Sequence, residues 1–400
     1  MTAFTKTPPS LADAAWLNEP HLQQVMAAIV AAGGAVRVAG GAVRNALMGV
    51  AIADIDLATT MLPDEVMRVC KAAGFGVHPT GIEHGTVTVV NKGVPFEVTT
   101  LRHDVETDGR HAVVLFTGDW AEDAKRRDFT MNAMYCDASG KIYDFTDSYA
   151  DILKHKVRFV GRATERIKED YLRILRFFRF HAHYGLGTPD KAGLAAVTKL
   201  KSGLKHISAE RIRAELFKLL VAPRAVPTLK VMAASGVLKI IIPYKDDWRV
   251  LGRLPNDPLL RLMAIAKRPL DLKEHLRLAN DQAVRIEEMA KAPTLSPKLQ
   301  PQQQRALLYK LGAVAWRDAA YMNWARGRGS LCDPRWQKLV DLPHRWPIPK
   351  FPVTGKDLLA IGVAPGPPMG KMLRKIEKHW IAQDFVPSRA QLLVKFTKEK

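Results

Sequence analysis

The feature that most constrains this fold is a short unit in which a glycine turn precedes two closely spaced carboxylates. An apolar run that breaks at Gly40-Gly41 predicts a strand and a turn, and a helix is predicted over Ala42–Met48. Asp54 and Asp56 follow, flanked by small and apolar residues that indicate a second strand. Side chains i and i+2 of a strand point to the same face. The unit therefore predicts an α/β domain in which two carboxylates lie side by side near a glycine turn.

Paired carboxylates suit a hard cation such as Mg²⁺, which takes one or two protein carboxylates and completes its shell with water and substrate phosphates. The turn and the start of the helix offer backbone N–H groups to a phosphate. An isolated Asp-x-Asp pair is most often solvated surface, so the metal interpretation rests on the surrounding strand–turn–helix pattern. That pattern lacks the glycine spacing of a dinucleotide-binding turn or a P-loop. It predicts a nucleoside triphosphate with its metal.

Charge is divided unevenly along the chain. Residues 1–150 contain 12 lysines and arginines against 18 aspartates and glutamates, whereas residues 151–400 contain 48 against 22. So large a basic excess is typical of a polyanion-binding surface, although a basic solvated face without function is the simpler reading of a small excess. Nucleic acid is favoured over an acidic membrane, because no Lys-rich amphipathic terminal helix with opposing aromatic residues stands out.

The remaining composition places the chain among globular proteins, with 47% apolar and 25% charged residues. No apolar run reaches the length of a membrane span, and the first residues lack a secretory pattern. The three cysteines (Cys70, Cys136 and Cys332) are widely separated, which argues against a disulfide framework or a zinc site. We therefore expect a cytoplasmic protein with no membrane partner.

Periodicity predicts an α/β head followed by an all-helical remainder. The β-branched runs 86–90 and 96–100, joined by Asn91-Lys92-Gly93, predict a hairpin, and the charged segment 102–117 predicts a mobile loop. From about residue 160, apolar residues recur at helical spacing. The predicted segments are a helical lead-in, the α/β head and three helical parts, with bounds 1–34, 35–150, 151–245, 246–345 and 346–400.

Two clusters of charged residues follow the Asp pair. Arg127, Asp128 and Asn132 predict one polar cluster, in which a carboxylate fixes an arginine that grips a phosphate or ribose. Asp170 and the arginines at 173, 176 and 179 follow on a predicted helix. A surface i,i+3 salt bridge would explain the Asp170–Arg173 pair but not the whole arginine row, which is interleaved with Leu and Phe. A row of arginines facing a cleft indicates an anionic ligand.

These motifs occur in a fixed order along the chain. They are Gly40-Gly41-x-x-Arg44, Asp54-x-Asp56, Arg127-Asp128-Phe129-Thr130-x-Asn132-Ala133, Glu169-Asp170-x-x-Arg173-x-x-Arg176 and Ser208-x-Glu210-Arg211. Together they resemble the class II tRNA nucleotidyltransferase family, the CCA-adding enzymes and their bacterial poly(A) polymerase relatives. The motifs span residues 35 to about 220, the run 353–359 resembles the family's tail, and residues 245–345 carry no recognised motif.

The resemblance implies a polymerase-β-like α/β nucleotidyltransferase head over 35–150, followed by an all-α neck (151–245), body (246–345) and tRNA-binding tail (346–400). It implies that Asp54 and Asp56 hold the catalytic Mg²⁺, with Glu97 as a third carboxylate. The implied nucleotide-binding residues are Gly41, Arg44, Arg127, Asp128, Asn132, Asp170, Arg173, Arg176 and Arg179. The chain departs from the family at Asn45, where an Asp is usual, which bears on a supporting hydrogen bond rather than on the metal.

The resemblance also implies a way to choose the base without a template, through Asp170 and Arg173. Cytosine and adenine each present an exocyclic amine, which a carboxylate accepts, beside a ring nitrogen that accepts from a guanidinium. Uracil and guanine present a ring N–H to Arg173, donor to donor, and a buried unpaired polar group is costly. The expected activity is the addition of C, C and A to the 3′ end of tRNA from CTP and ATP, with two-metal phosphoryl transfer and release of pyrophosphate.

Three alternatives remain open at this point. A poly(A) polymerase of the same family would extend generic RNA and ignore CTP, and an enzyme that adds only part of the C-C-A end would stop early. The loop expected at 102–117 is associated with C addition, which disfavours A-only activity and leaves CC-only addition open. A catalytically idle RNA-binding protein would retain the basic region and lose a metal carboxylate, whereas both Asp54 and Asp56 are present.

Overall fold

The computed structural model describes residues 7–108, 111–327, 329–330 and 332–397. The chain forms two compact units, Met1–Pro243 and Tyr244–Lys400. The first unit contains a mixed β-sheet with helices, and the described part of the second unit is helical. The finer division into five segments stays a prediction.

The sheet and its helices occupy the start of the first unit, and helices alone make up its end. The elements of the first unit are α1 Pro20–Ala31, β1 Val36–Ala39, α2 Gly41–Leu47, β2 Asp56–Thr59, α3 Pro63–Ala72, β3 Gly76–Gly81, β4 Thr86–Asn91, β5 Val94–Thr100, β6 Arg102–Asp108, β7 His111–Phe116, α4 Trp120–Lys125, β8 Met134–Cys136, β9 Ile142–Asp144, α5 Ser148–Leu153, α6 Ala163–Glu169, α7 Arg173–Tyr184, α8 Lys191–Leu200, α9 Ala209–Leu220, α10 Ala225–Ala234 and α11 Val237–Ile241.

Helices continue through the described part of the second unit. They are α12 Trp248–Arg253, α13 Pro258–Ile265, α14 Leu272–Leu276, α15 Asn280–Lys291, α16 Pro301–Arg326, α17 Pro334–Val340, α18 Leu342–Arg345, α19 Gly355–Ala360, α20 Pro367–Ala382 and α21 Arg389–Thr397. Helix α16 is interrupted at Gly312, whose φ of 78° is not helical. Two apolar clusters form around Trp316 and Trp380. Every helix within the described ranges is too short or too polar to cross a bilayer.

The main sheet brings the glycine turn next to the carboxylates. Its strand order is β3-β4-β5-β2-β1-β8-β9, with β2 and β5 parallel and the other neighbours antiparallel. Asp56 is in register with Ala39 of β1 on one side and with Glu97 of β5 on the other. Because β1 ends at Ala39, the Gly40 turn begins beside Asp56. The register alone therefore places these groups at one end of the sheet.

The predicted hairpin is confirmed by β4 and β5, whose turn contains Lys92 and Gly93 with positive φ angles of 47° and 86°. The mobile loop predicted over 102–117 is wrong in its secondary structure, because β6 and β7 pair as an antiparallel ribbon separate from the main sheet. The Asp108-Gly109 pair is a common hairpin-turn sequence, from which the ribbon could have been predicted.

An aromatic cluster fastens the head to the first long helix after it. Phe129 lies 4.9 Å from Phe159 and 5.0 Å from Phe180 between ring centroids, and Phe159 stacks on Phe177 at 5.5 Å. Helix α7 buries the apolar side that carries Phe177. Its arginines occupy other positions of the same helix, so packing of the apolar face determines where they point.

Candidate functional site

The polar residues of the sequence motifs converge on one cavity of about 480 Å³ in the first unit. We call it the central cavity. It is lined by Gly40, Gly41, Arg44, Asp56, Arg126, Arg127, Asp128, Asn132, Asp170, Leu172, Arg173, Arg176, Phe180 and Arg211. Of the predicted nucleotide-binding residues, Arg179 is the one outside this lining. Of the three predicted catalytic carboxylates, Asp56 belongs to it.

The glycine turn is tightly enclosed. Gly40 has a φ of 63°, and a Cβ at this position would lie 2.9 Å from Nη1 of Arg127 and 3.1 Å from the carbonyl oxygen of Asn132. A side chain would therefore be strained here and would push into the cavity wall. The Gly40 N–H donates to the carbonyl of Met134 at 2.9 Å. Because this amide is already hydrogen-bonded to β8, any backbone N–H that donates to a phosphate must belong to a later residue of the turn.

The three carboxylates at the end of the sheet are exposed and lie near one another. Strand β2 begins at Asp56, so Asp54 precedes the strand instead of lying within it as predicted. Partial loss of water raises the pKa of Asp56, with Glu97 and Asp54 acting in the same direction and Arg127 against it. Among the described residues, none of the three carboxylates has an ion-pair partner in the protein. No group of three potential ligands in that part of the chain is already assembled as a metal site.

Arg44 is held at the cavity wall by several partners. Its Nε and Nη2 donate to Oδ1 of Asn45 at 3.1 and 2.8 Å, its Nη1 donates to Oδ1 of Asn132, and its Nη2 also donates to the Tyr184 hydroxyl at 2.8 Å. The guanidinium lies 4.1 Å from the centre of the Tyr184 ring. Burial lowers the pKa of Arg44, with Tyr184 and Asp128 acting against that effect. Asn45 thus supports Arg44 through two hydrogen bonds.

Arg127 is fixed by Asp123, an acid outside the sequence motifs. Asp123, 1% exposed, accepts from Nε and Nη2 of Arg127 at 3.3 and 3.2 Å, from Arg126 at 2.7 Å and from the Tyr135 hydroxyl at 2.5 Å. Burial alone would lower the pKa of Arg127, but Tyr135 and Asp123 raise it. The prediction that Asp128 holds Arg127 is therefore wrong. The spacing of Asp123 four residues before Arg127 was a usable signal, because α4 brings these positions together.

Asp128 instead joins the head to helix α7. Its Oδ2 accepts from Arg176 Nε at 2.8 Å, and its Oδ1 accepts from Asn132 Nδ2 at 3.0 Å and from the Phe129 N–H at 2.8 Å. Burial alone would raise the pKa of Asp128, but Arg176 and Asn132 hold it below its usual range. The predicted Asp128–Asn132 contact is confirmed. The backbone between the two residues forms a 3-10 turn at Thr130–Asn132 instead of the regular helix that was expected.

Asp170 and Arg173 line the cavity together but do not pair with each other. Asp170 Oδ2 accepts from Arg211 Nη2 at 2.7 Å, and its Oδ1 accepts from the Leu172 N–H at 3.0 Å. Arg173 forms an ion pair with Glu169 and donates to the carbonyl of Arg166 at 3.0 Å. The surface i,i+3 salt bridge considered for this pair is therefore wrong. Arg211 orients Asp170, and Glu169 orients Arg173. Both side chains can therefore present polar atoms to a ligand in the central cavity.

The arginine row continues behind the cavity wall. Arg179 Nε lies 2.7 Å from Oε2 of Glu215, and the Arg176 guanidinium lies 4.0 Å from the same carboxyl group. Phe180, which lines the cavity, has Arg179 4.6 Å and Arg44 5.4 Å from its ring centre. Arg179 thus supports this wall and does not line it. Glu215 was missed because it lies on α9, far from α7 in sequence, and shows no local signal.

Two family comparisons cover this part of the chain. Residues 36–158 match the family described as Poly A polymerase head domain. Residues 188–248 match the family described as probable RNA and SrmB-binding site of polymerase A. The first match contains the glycine turn, the three carboxylates and Arg127, Asp128 and Asn132.

Relatives match over most of their length. The chain is 34% identical over 378 residues to CCA tRNA nucleotidyltransferase 1, mitochondrial, of Mus musculus, which covers 89% of this chain and 85% of the mouse protein. It is 31% identical over 376 residues to the CCA-adding enzyme of Lacticaseibacillus paracasei, with 90% of this chain and 91% of that protein covered.

Solved structures share the fold. The crystal structure of Bacillus stearothermophilus CCA-adding enzyme in complex with CTP has a TM-score of 0.82 at 26% identity, covering 95% of this chain and 96% of that chain. The Thermotoga maritima CCA-adding enzyme, complexed with tRNA, has a TM-score of 0.65 at 19% identity over 93% of both chains. The predicted fold class, an α/β nucleotidyltransferase head followed by helices, is confirmed. The chain belongs to the family of CCA-adding tRNA nucleotidyltransferases.

Proposed function

We propose that this protein adds C, C and A to the 3′ end of tRNA, using CTP and ATP and releasing pyrophosphate. The observation that carries the proposal is a single cavity in which Asp56 shares the lining with Asp170, Arg173 and the arginines of the turn and of α7. Such a cavity can hold the reacting phosphates at one wall and the base at another. Relatives named for this activity match nearly the whole chain.

The proposed metal-binding residues are Asp54 and Asp56, with Glu97 beside them as the third carboxylate. Their chemistry fits a divalent cation, because all three are exposed oxygen donors, Asp56 is in register with Glu97, and none has an ion-pair partner among the described residues. Mg²⁺ is the ion we propose, since it prefers carboxylate oxygen and substrate phosphates. When bound, the metal would activate the RNA 3′-hydroxyl and stabilise the leaving pyrophosphate.

The arginines of the central cavity are the proposed triphosphate ligands. Gly41 allows close approach of the triphosphate, and Arg44 and Arg127 supply fixed positive charge whose orientation is set before the nucleotide arrives. Arg176 adds charge from α7. Asp128 and Asn132 act by fixing Arg176 and Arg44, because their side chains are used in those contacts. Phosphoryl transfer depends on such positioning more than on covalent help from the protein.

Asp170 and Arg173 are the proposed readers of the base. Arg211 and Glu169 hold them from behind, so each retains capacity for a further hydrogen bond. A base with an exocyclic amine beside a ring acceptor satisfies both groups, whereas uracil leaves Arg173 facing an N–H. Arg179 and Glu215 support this wall through Phe180 and Arg176. The pair therefore favours CTP and ATP over UTP and GTP.

The helical parts are the proposed tRNA-binding region. Residues 151–400 carry a large excess of lysine and arginine, and a duplex or acceptor arm binds mainly through its phosphates. Residues 151–245 would serve as the neck, 246–345 as the body and 346–400 as the tail. A cytoplasmic location stays a prediction, supported by three cysteines that are all free.

Product analysis tests the proposed function. A tRNA transcript that ends before C-C-A is incubated with CTP, ATP and Mg²⁺, and the 3′ end of the product is sequenced. We expect three added nucleotides, C-C-A, after which extension stops. A long A tract would assign the poly(A) polymerase activity that the head-domain match leaves open. Arrest after two C residues would assign CC-only addition, and an unextended tRNA would refute the proposal.

A further inference from the structure

A second cavity of about 340 Å³ lies in the first unit and shares no lining residue with the central cavity. We call it the lysine cavity. Its lining residues are Lys154, His155, Lys156, Val157, His181, Leu186, Thr188, Pro189, Asp190 and Lys191. It is formed where the chain leaves α5 and where it turns from α7 into α8. None of these residues belongs to the sequence motifs.

The lysine cavity carries more positive than negative charge. It contains three lysines and one acid, and that acid is already used: Asp190 lies 2.8 Å from Lys156 and caps α8 by accepting from the Gly193 N–H at 2.8 Å. Lys154 and Lys191 are exposed, and neither has an ion-pair partner within the described ranges. Two ammonium groups are therefore available to an anion at the rim of a cavity whose one acid is neutralised.

The floor of the lysine cavity is built from fixed groups. His155 adopts a left-handed φ of 49°, its Nδ1 lies 3.2 Å from the carbonyl oxygen of Tyr184, and its own carbonyl accepts from the Leu186 N–H at 3.1 Å. His181 is 4% exposed, and burial together with Arg224 lowers its pKa, which favours the neutral imidazole. A floor held by these hydrogen bonds does not need to rearrange when a ligand enters.

Tyr184 connects the two cavities. Its carbonyl oxygen contacts His155 at the lysine cavity, and its hydroxyl accepts from Arg44 at the central cavity. Both contacts use one residue at the end of α7. Tyr184 therefore contacts one lining residue of each cavity.

We propose that the lysine cavity binds a phosphate group at a site distinct from the nucleotide. Lysine is a compact point charge that binds phosphate without the fixed geometry of an arginine fork, and two uncommitted lysines that line one cavity can donate to different oxygens of one phosphate group. The group is either a backbone phosphate of RNA or free inorganic phosphate. The RNA source rests on the proposed function, whereas phosphate binding itself does not.

Binding measurements with one variant pair test this proposal. The test variant combines Lys154→Ala with Lys191→Ala, and the control combines Lys71→Ala with Lys141→Ala, which removes the same charge from exposed positions of the first unit outside both cavities and outside the proposed tRNA-binding region. Thermal unfolding confirms that both variants fold. Affinity for tRNA lacking C-C-A is measured over a range of salt, affinity for CTP is measured alone, and inorganic phosphate binding is measured by calorimetry with CTP saturating the central cavity.

If RNA supplies the phosphate, the test variant binds tRNA about tenfold more weakly and its salt slope falls by about one to two, while CTP affinity and the control variant are unchanged. If the source is free phosphate, the wild type binds inorganic phosphate beside CTP and the test variant does not. Unchanged tRNA affinity together with unchanged or absent phosphate binding would overturn the proposal. Because no readout requires nucleotide addition, a protein that fails to add C-C-A can still pass or fail this test.

Discussion

The carboxylates at the end of the sheet differ from those behind the cavity arginines. Asp54, Asp56 and Glu97 are exposed, repel one another and lack a cationic partner among the described residues. Asp123 and Asp128 are buried, and each is bound to at least one arginine. The same residue type thus serves two purposes within one unit. Unpaired acids are available to a metal, whereas paired acids hold arginines in position for an anion.

This difference predicts which acids affect the reaction alone and which also affect folding. Removing an exposed carboxylate that is repelled by its neighbours costs little stability. Removing a buried acid leaves its arginine uncompensated, which is costly. Substitution of an acid at the end of the sheet is therefore expected to lower activity and leave stability unchanged. Substitution of a buried acid is expected to lower both.

The largest expected effect belongs to Asp56→Asn. Nucleotide addition should fall about a thousandfold or more, because the proposed metal loses a charged ligand, while the urea midpoint stays within error of the wild type. Single-turnover extension of tRNA and urea unfolding measure the two quantities. Glu83→Gln, an exposed acid outside the central cavity, is the control and should change neither. An active Asp56→Asn protein would remove this residue from the metal site.

A smaller effect, on selectivity, is expected for Asp170→Ala. The preference for CTP over UTP should fall about a hundredfold, because the carboxylate that accepts from the base amine is gone. Affinity for tRNA should not change. Competition between labelled CTP and UTP measures the ratio, with Glu165→Ala on α6 as a nearby exposed control. Preserved selectivity with reduced overall rate would show that Asp170 is structural only.

For Asp128→Asn the expected effect is on stability. The variant removes the nearer of the two carboxylates beside Arg176 and leaves Glu215 at 4.0 Å. We expect a loss of about 2 kcal/mol in unfolding free energy, less than for a fully buried pair because Arg176 is 31% exposed. Urea unfolding measures this loss. Glu165→Gln, whose Lys168 partner is exposed, should cost less than about 1 kcal/mol. Equal costs in the two variants would erase the distinction between buried and exposed pairs.

The pH dependence of that loss sharpens the comparison. Because the folded pKa of Asp128 lies below its unfolded value, its contribution is fully present above about pH 4 and disappears as pH falls through the folded pKa. The stability gap between the wild type and Asp128→Asn should therefore be constant from pH 7 to 5 and narrow below pH 4. Urea midpoints at each pH measure the gap. A gap that is unchanged at pH 3 would mean that the carboxylate charge is not what stabilises this contact.

The sequence predicted the parts of the site that local spacing determines. The strand–turn–helix unit, the hairpin at β4 and β5 and the Asp128–Asn132 contact follow from neighbours in the chain. Ion pairs between residues on different elements could not be predicted from local spacing. Arg176 of α7 pairs with Asp128 of the head, and Arg211 of α9 pairs with Asp170. Those pairs depend on how the helices pack, and packing leaves no spacing signal. The ribbon of β6 and β7 was missed because the charged residues between 102 and 110 favour a loop in the sequence pattern.

We claim that the unpaired acids bind the metal, whereas the paired acids hold arginines. The most direct test is a calorimetric titration of the protein with CTP, with and without Mg²⁺. The wild type and Asp128→Asn should bind CTP more tightly with Mg²⁺ than without it, even if Asp128→Asn binds more weakly in both conditions. Asp56→Asn should bind CTP equally in both conditions, because the carboxylate that recruits the metal is missing. If Asp56→Asn keeps the full gain from Mg²⁺, the unpaired acids at the end of the sheet are not the metal site.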